Sequence, residues 1–256
     1  MPAPKSSVRA FIHQHPDGHW SSPNSFVALD GFRQLGWEIL PFRQSAHLET
    51  VNLPDQQAED VVVGPIGPVQ AALRRLGATL PAEPSYPAAL RPFLGRRLWQ
   101  STVDTVAAAP EQWPVFIKPV HALKQFTGVL VRGPRDLVGC GVQGQDTAVW
   151  CAEPVRFLAE WRCFVRYGQI LDLRLYRGDW ALAPDRRVVE QAVAAYASAP
   201  HGYALDFGRT DAGATVVVEA NEGYAIGAYG LAPVLYAKLL SARWAQLTGT
   251  QDLCRF

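Results

Sequence analysis

The chain has 256 residues, 48% apolar and 18% charged, enough to fill the core of one large domain or two small, closely packed ones, which excludes wholesale disorder. Its 24 Lys and Arg against 23 Asp and Glu leave a formal net charge of +1, so electrostatics give no case for nucleic acid or a membrane surface as partner. Cys140, Cys151, Cys163 and Cys254 form no CxxC pair, MPAPKSSVRAFIHQH lacks the apolar run of a signal peptide, and no stretch reaches transmembrane length, so a soluble, cytoplasmic protein with reduced thiols is expected.

Residues 8–14 read as a first strand. The spacing of Phe26, Leu29, Phe32 and Leu35 predicts a helix stopped by Gly36, and WEILPF a second strand. An apolar strand at 60–63 and a helix ending at Gly77 complete a small α/β layer with some parallel pairing. Four prolines between 79 and 100 mark a boundary, giving domains at 1–80 and 101–256 with a linker at 81–100. Beyond it, 114–120 and 128–133 are strand-like, and 160–179 reads as a hairpin turning near Gly168 and Gln169. Residues 185–199 form an amphipathic helix, 203–223 a second hairpin turning through Asp211 to Gly213, and the segment from Leu231 to Gly249 a closing helix. The second half is therefore an α+β domain.

The second hairpin carries the chemistry. Asp206 and Glu219 are symmetric about a turn centred between Ala212 and Gly213, so an even-numbered loop sets them directly opposite each other. Opposed like charges destabilise a sheet unless something bridges them. Asn221, one pleat further on, adds a third oxygen ligand on the same face, a set that suits Mg²⁺ with substrate phosphates in its other positions. Lys118 sits inside the apolar strand VFIKPV and Lys124 follows six residues later; a buried ammonium needs an anionic partner, and the two could hold nucleotide phosphates. Neither GxxxxGK[ST] nor GxGxxG occurs, so no phosphate loop or dinucleotide fingerprint supports this.

The order and spacing of FIKP with Lys118, KQFTG with Lys124, AEPVRF, EWRCFV, LRLYRGD, ALDFG and VVVEANEG resemble those of the ATP-grasp superfamily over about residues 95–245. The resemblance implies an α+β ATP-grasp fold, two α+β subdomains clasping a nucleotide, preceded by a small α/β amino-terminal domain. It implies that Lys118 contacts the α- and β-phosphates and Lys124 is a second or mobile-loop phosphate lysine. Glu153, Pro154 and Val155 become the hinge whose backbone meets the adenine edge, and Glu160 a partner for the ribose hydroxyls. Asp206, Glu219 and Asn221 hold Mg²⁺, while Arg162 and Arg174 neutralise the transferring phosphoryl group or grip an acidic substrate. A two-residue turn at Gly168 and Gln169 would point Arg162 and Arg174 to opposite faces, whereas a three-residue loop would pair them. The chain departs from the family pattern at Ala204, where many members carry an arginine, and in having only Gly128 after the first lysine.

The implied activity is ATP-dependent carboxylate–amine ligation through an acyl phosphate, releasing ADP and phosphate, on small-molecule or peptide substrates. A phosphotransferase that stops at phosphoryl transfer and a non-catalytic nucleotide-binding module are the alternatives. HQHPDGHW places three histidines in a loop that fits no zinc spacing and is better read as a substrate-facing loop; His121 reads as a loop histidine. GxSxG is absent, Cys163 is a small core residue, and Trp99, Trp113, Trp150, Trp161 and Trp180 are read as packing. The leucines of the last helix leave core and subunit interface equally open.

Overall fold

Three parallel strands begin the chain. β1 (Arg9–His13) lies between β2 (Glu38–Phe42) and β3 (Val61–Val63), with α1 (Pro23–Gln34) and α2 (Ile66–Arg75) as the connecting helices. The computed structural model describes residues 8–43, 51–81, 85–120, 126–141 and 144–256. α1 starts where the Ser22 hydroxyl accepts from the Ser25 amide and Pro23 occupies the first turn, and Gly36, at φ 77°, lies just beyond its end. Leu29 and Phe32 are buried, but Phe26, expected on the same face, is 58% exposed. The buried face instead runs through Ser25, Ala28 and Gly31, small residues that admit the closing helix α5 (Pro233–Thr248). A Cβ on Gly31 would lie 2.0 Å from the carbonyl oxygen of Pro233, so only glycine permits that approach.

α5 makes the amino-terminal layer part of a larger core. Phe11, Ile12, Phe32 and Leu73 share one cluster with Tyr236, Leu239, Leu240 and Trp244, together with Phe164 and Ala204 from the second half. The leucines of the last helix are thus core, and a division of the chain at the proline-rich stretch is not a division of its interior. The expected linker is also shorter than its prolines suggest, because β4 (Leu98–Thr102) already pairs with β7 (Ala148–Ala152).

Two antiparallel sheets follow. The first has the order β4-β7-β5-β6, with β5 (Val115–Pro119) and β6 (Val129–Val131). α3 (Val103–Ala108) connects β4 to this sheet's remaining strands. The second has the order β11-β10-β8-β9, built from β8 (Phe157–Arg166), β9 (Gln169–Gly178), β10 (Gly202–Thr210) and β11 (Thr215–Glu222). Strand alternation gives this sheet two distinct faces. Cys163, Val165, Leu205 and Phe207 pack with Val189 and Ala192 of α4 (Arg186–Ala195), while Phe164 and Ala204 join the α5 cluster. Trp161 is buried, but Trp180, read as packing, lies in the loop after β9 and is 85% exposed. Among the described residues no helix is long and apolar enough to cross a membrane.

Both hairpins reach their registers through bulges. Tyr167 and Gly168, at φ 49° and 72°, form a two-residue turn between Arg166 and Gln169, one residue earlier than expected. A register shift next to Phe164 and Val165 then sets Arg162 directly opposite Arg174, the pairing that a three-residue loop was expected to require. In the second hairpin the last pair is Arg209 with Thr215, which leaves five residues in the turn, an odd number. A bulge between Asp206 and Phe207, with Val218 as the extra residue, restores Asp206 opposite Glu219.

Candidate active site

A cleft between the two antiparallel sheets holds a cavity of about 430 Å³. β7 ends in the first sheet at Ala152 and β8 starts in the second at Phe157, so Glu153, Pro154 and Val155 cross between them and line the cavity. The Glu153 amide donates to the Arg97 carbonyl at 3.1 Å, and its carboxylate accepts from the Arg97 amide at 2.9 Å. From the first sheet Lys118 reaches across, its Nζ donating to Glu219 Oε2 at 2.6 Å and standing 4.8 Å from the Tyr86 ring centre. Burial works against the ammonium charge, but Glu219 and Tyr86 together hold its pKa above the usual lysine value. Glu160 also lines the cavity, 6% exposed; its two oxygens accept from Tyr176 Oη at 2.9 Å and Arg177 Nη1 at 3.0 Å.

The registers align Arg174, Arg162, Asp206 and Glu219 as one row across β9, β8, β10 and β11. Arg162 donates through Nε and Nη2 to the two oxygens of Asp206, at 2.8 and 2.7 Å, with both residues buried. Burial pushes the Asp206 carboxyl up, and its bonds to Arg162 oppose that shift. Asn221 adds a third bond, Nδ2 donating to Asp206 Oδ2 at 3.0 Å. Tyr229 and Tyr176 flank the guanidinium, their ring centres 4.7 and 6.0 Å from Arg162 Cζ. The guanidinium missing at Ala204 is therefore supplied beside Asp206 by Arg162 from the next strand. Arg174, although opposite Arg162 in register, places Nε 2.8 Å from Asp172 Oδ2 and lines neither this cavity nor the next.

The oxygen donors suit a hard divalent cation. Glu219 uses only Oε2 toward Lys118 and its side chain remains 30% exposed at the cavity, and Asn221 turns its amide nitrogen to Asp206, which leaves the carbonyl oxygen available. Asp206 sits behind them with both oxygens engaged, so it would act as the deeper, charge-balanced member of the set. Among the described residues no group of three or more His, Cys, Asp and Glu forms a separate metal cluster. Lys124 and His121 lie outside the described residues.

A second cavity, about 330 Å³, lies on the other side of Arg162 and Asn221. Ser22, Asn24 and Ser25 at the amino end of α1, the turn Gly64–Ile66, and the loop Tyr224–Gly227 enclose it. Sequence reading assigned this loop no role, although two signals were present: a serine cap before a helix without acidic residues in its first turn, and the glycines of NEGYAIGAYG. Ala225 and Tyr229 adopt φ of 52° and 42°, strain that clusters at this wall of the site. His13, expected to lead a substrate-facing loop, is instead buried at the end of β1 against Phe42, with neither ring nitrogen hydrogen-bonded.

Two sheets that clasp a cleft behind a small α/β layer make this an ATP-grasp fold. A family model described as an ATP-grasp domain, the second family of its clade, matches residues 93–239, more than half of the chain, and the chain belongs to that family. Among solved structures it resembles D-alanine–D-alanine ligase from Bacillus anthracis, at 14% identity over 94% of this chain and 96% of that one, with a TM-score of 0.59. It also resembles the D-cycloserine synthetase DcsG, at 12% identity over 94% and 99% of the two chains and a TM-score of 0.56. A third is the ATP-grasp ligase PsnB complexed with a phosphomimetic variant of its minimal precursor, Mg and ADP, at 13% identity over 94% and 99%, with a TM-score of 0.55. At these identities the likeness is one of fold. No curated protein sequence matches the chain.

Proposed function

We propose that the protein is a cytoplasmic ATP-dependent carboxylate–amine ligase that works through an acyl phosphate and releases ADP and phosphate. The observation that carries this reading is the pair of cavities on either side of the Arg162–Asp206–Glu219 row, one fitted for a nucleotide and the other facing the amino-terminal layer. In the first, Lys118 takes the α- and β-phosphates, with Lys124 as the second phosphate lysine. The crossing Glu153–Val155 offers its backbone to the adenine, and Glu160, held by Tyr176 and Arg177, stands at the ribose end. Glu219, Asn221 and Asp206 would hold Mg²⁺, which supplies charge neutralisation between phosphate oxygens when bound.

Arg162 is placed between the two cavities, with Nη1 left over after Nε and Nη2 bind Asp206, so it can face charge developing between nucleotide and acid. Arg174 backs it from β9 as part of the same positive row. The chain needs no covalent nucleophile: positioning of phosphate and carboxylate, exclusion of water and charge neutralisation suffice for an acyl phosphate that an amine then opens. A small-molecule or peptide acid would occupy the second cavity, whose walls combine hydroxyls, a helix amino end and apolar side chains.

The test is incubation with Mg·ATP, a panel of amino acids and short peptides, and hydroxylamine in place of the amine. Hydroxamate formation coupled to ADP release supports the ligase reading. A stable phosphorylated product would replace it with a phosphotransferase, and nucleotide binding without turnover on any acid would replace it with a binding module.

A further inference from the structure

The register that brings Glu219 to the cleft depends on the Val218 bulge, and the linker holds that bulge from outside the sheet. β11 is an edge strand, and residues 85–97 lie along its free side. The Ala220 amide donates to the Ser85 carbonyl at 2.9 Å. Gly95, at φ 60°, sits so close that a Cβ there would lie 2.4 Å from Val216 Cγ1. Next to it Arg96 donates from Nη1 to Leu94 O at 2.8 Å and Val217 O at 2.9 Å, and from Nη2 to Val218 O at 2.8 Å.

In an unbroken strand the carbonyls of consecutive residues point to opposite edges, so one guanidinium cannot take both. At a bulge two neighbours turn the same way, and the fork of Arg96 closes on that pair. Without the bulge, the register of Phe207 with Val217 would continue to Asp206 with Val218. Glu219 would then face the side occupied by α4, since a slip of one residue exchanges the faces of a strand.

We propose that Arg96 is a positioning residue: it locks the β11 bulge and thereby aims Glu219 at Lys118 and at the cation bound with the nucleotide. The proposal rests on the reading of Glu219 as a metal-bearing residue. It is specific to the guanidinium, because a lysine carries the charge to the same place but has no fork to span two carbonyls.

The test compares wild type with Arg96→Met and Arg96→Lys by two readouts: ADP affinity with and without Mg²⁺, and amide hydrogen exchange along residues 216–221. In both variants the Mg²⁺-dependent gain in ADP affinity should fall about tenfold or more, as when other supports of a metal ligand are removed, while Mg²⁺-free ADP affinity changes far less. Exchange at Val218–Ala220 should accelerate. An unchanged Mg²⁺ gain in a folded variant overturns the proposal, as does an equal loss with and without Mg²⁺, which would mark Arg96 as a direct nucleotide contact. If Arg96→Met does not fold, Arg96→Lys decides by the same readouts. If wild type binds no ADP, the nucleotide reading fails by itself; accelerated exchange in Arg96→Lys would still support the lock, and unchanged exchange would overturn it.

Discussion

Lys118 and Glu219 lie 101 residues apart and meet at 2.6 Å, one from each antiparallel sheet, and theirs is the ion pair that spans the cleft. Both side chains remain partly accessible, 16% and 30%, so the pair holds the sheets together only weakly and can exchange partners when phosphate and metal enter. Lys118→Met should therefore cost about 1 kcal/mol or less of stability, read by urea unfolding, yet remove most of the stabilisation that a nucleotide confers. A large loss of stability without a loss of nucleotide response would assign Lys118 to structure instead.

The Arg162–Asp206 pair behaves differently because it is buried. Arg162→Ala leaves an uncompensated carboxylate beside Glu219, and the cost should be about 3–5 kcal/mol, measured by denaturant unfolding. Replacing both members together, Arg162→Met with Asp206→Leu, should recover much of that stability while activity stays lost. Failure of the double variant to regain stability would show that the pair does more than balance its own charge.

Much of this site could be read from the chain, for local reasons. VFIKPV and VVVEANEG announce themselves because charged or amide side chains interrupt apolar runs, and the symmetry of Asp206 and Glu219 about a turn is a matter of counting. The bulges were not legible: Val218 and Leu171 look like ordinary strand residues, and what makes Val218 the extra one is Arg96, 122 residues away. β4 and β7 escaped for a related reason, since LWQST and AVWCA are short and become strands only by pairing with each other and with β5. The second cavity draws its walls from both ends of the chain, and no local pattern encodes that meeting.

That meeting depends on Gly31. With 2.0 Å between a would-be Cβ and the Pro233 carbonyl, Gly31→Ala must push α1 away from α5. The expected cost is about 1–3 kcal/mol, with weaker substrate affinity and little change in nucleotide affinity, because α1 borders only the second cavity. Equal weakening of both would contradict the assignment of separate pockets.

His13 gives a pH signature. Burial, with a smaller push from His15, holds its pKa below the ordinary value of 6.5. The unfolded chain therefore binds a proton more readily, and stability declines as pH falls below about 6.5 toward the depressed native value. His13→Phe should flatten stability across that interval while leaving it unchanged above about pH 7.5; a slope identical to wild type would mean that another group titrates there.

The most direct measurement of the central claim is isothermal titration of a non-hydrolysable ATP analogue with Mg²⁺ into wild type and Glu219→Gln. The account predicts binding to wild type that weakens when Mg²⁺ is withheld, and a variant that binds with the same low affinity whether or not the metal is present. Equal, metal-independent binding by both proteins, or none by either, would contradict it.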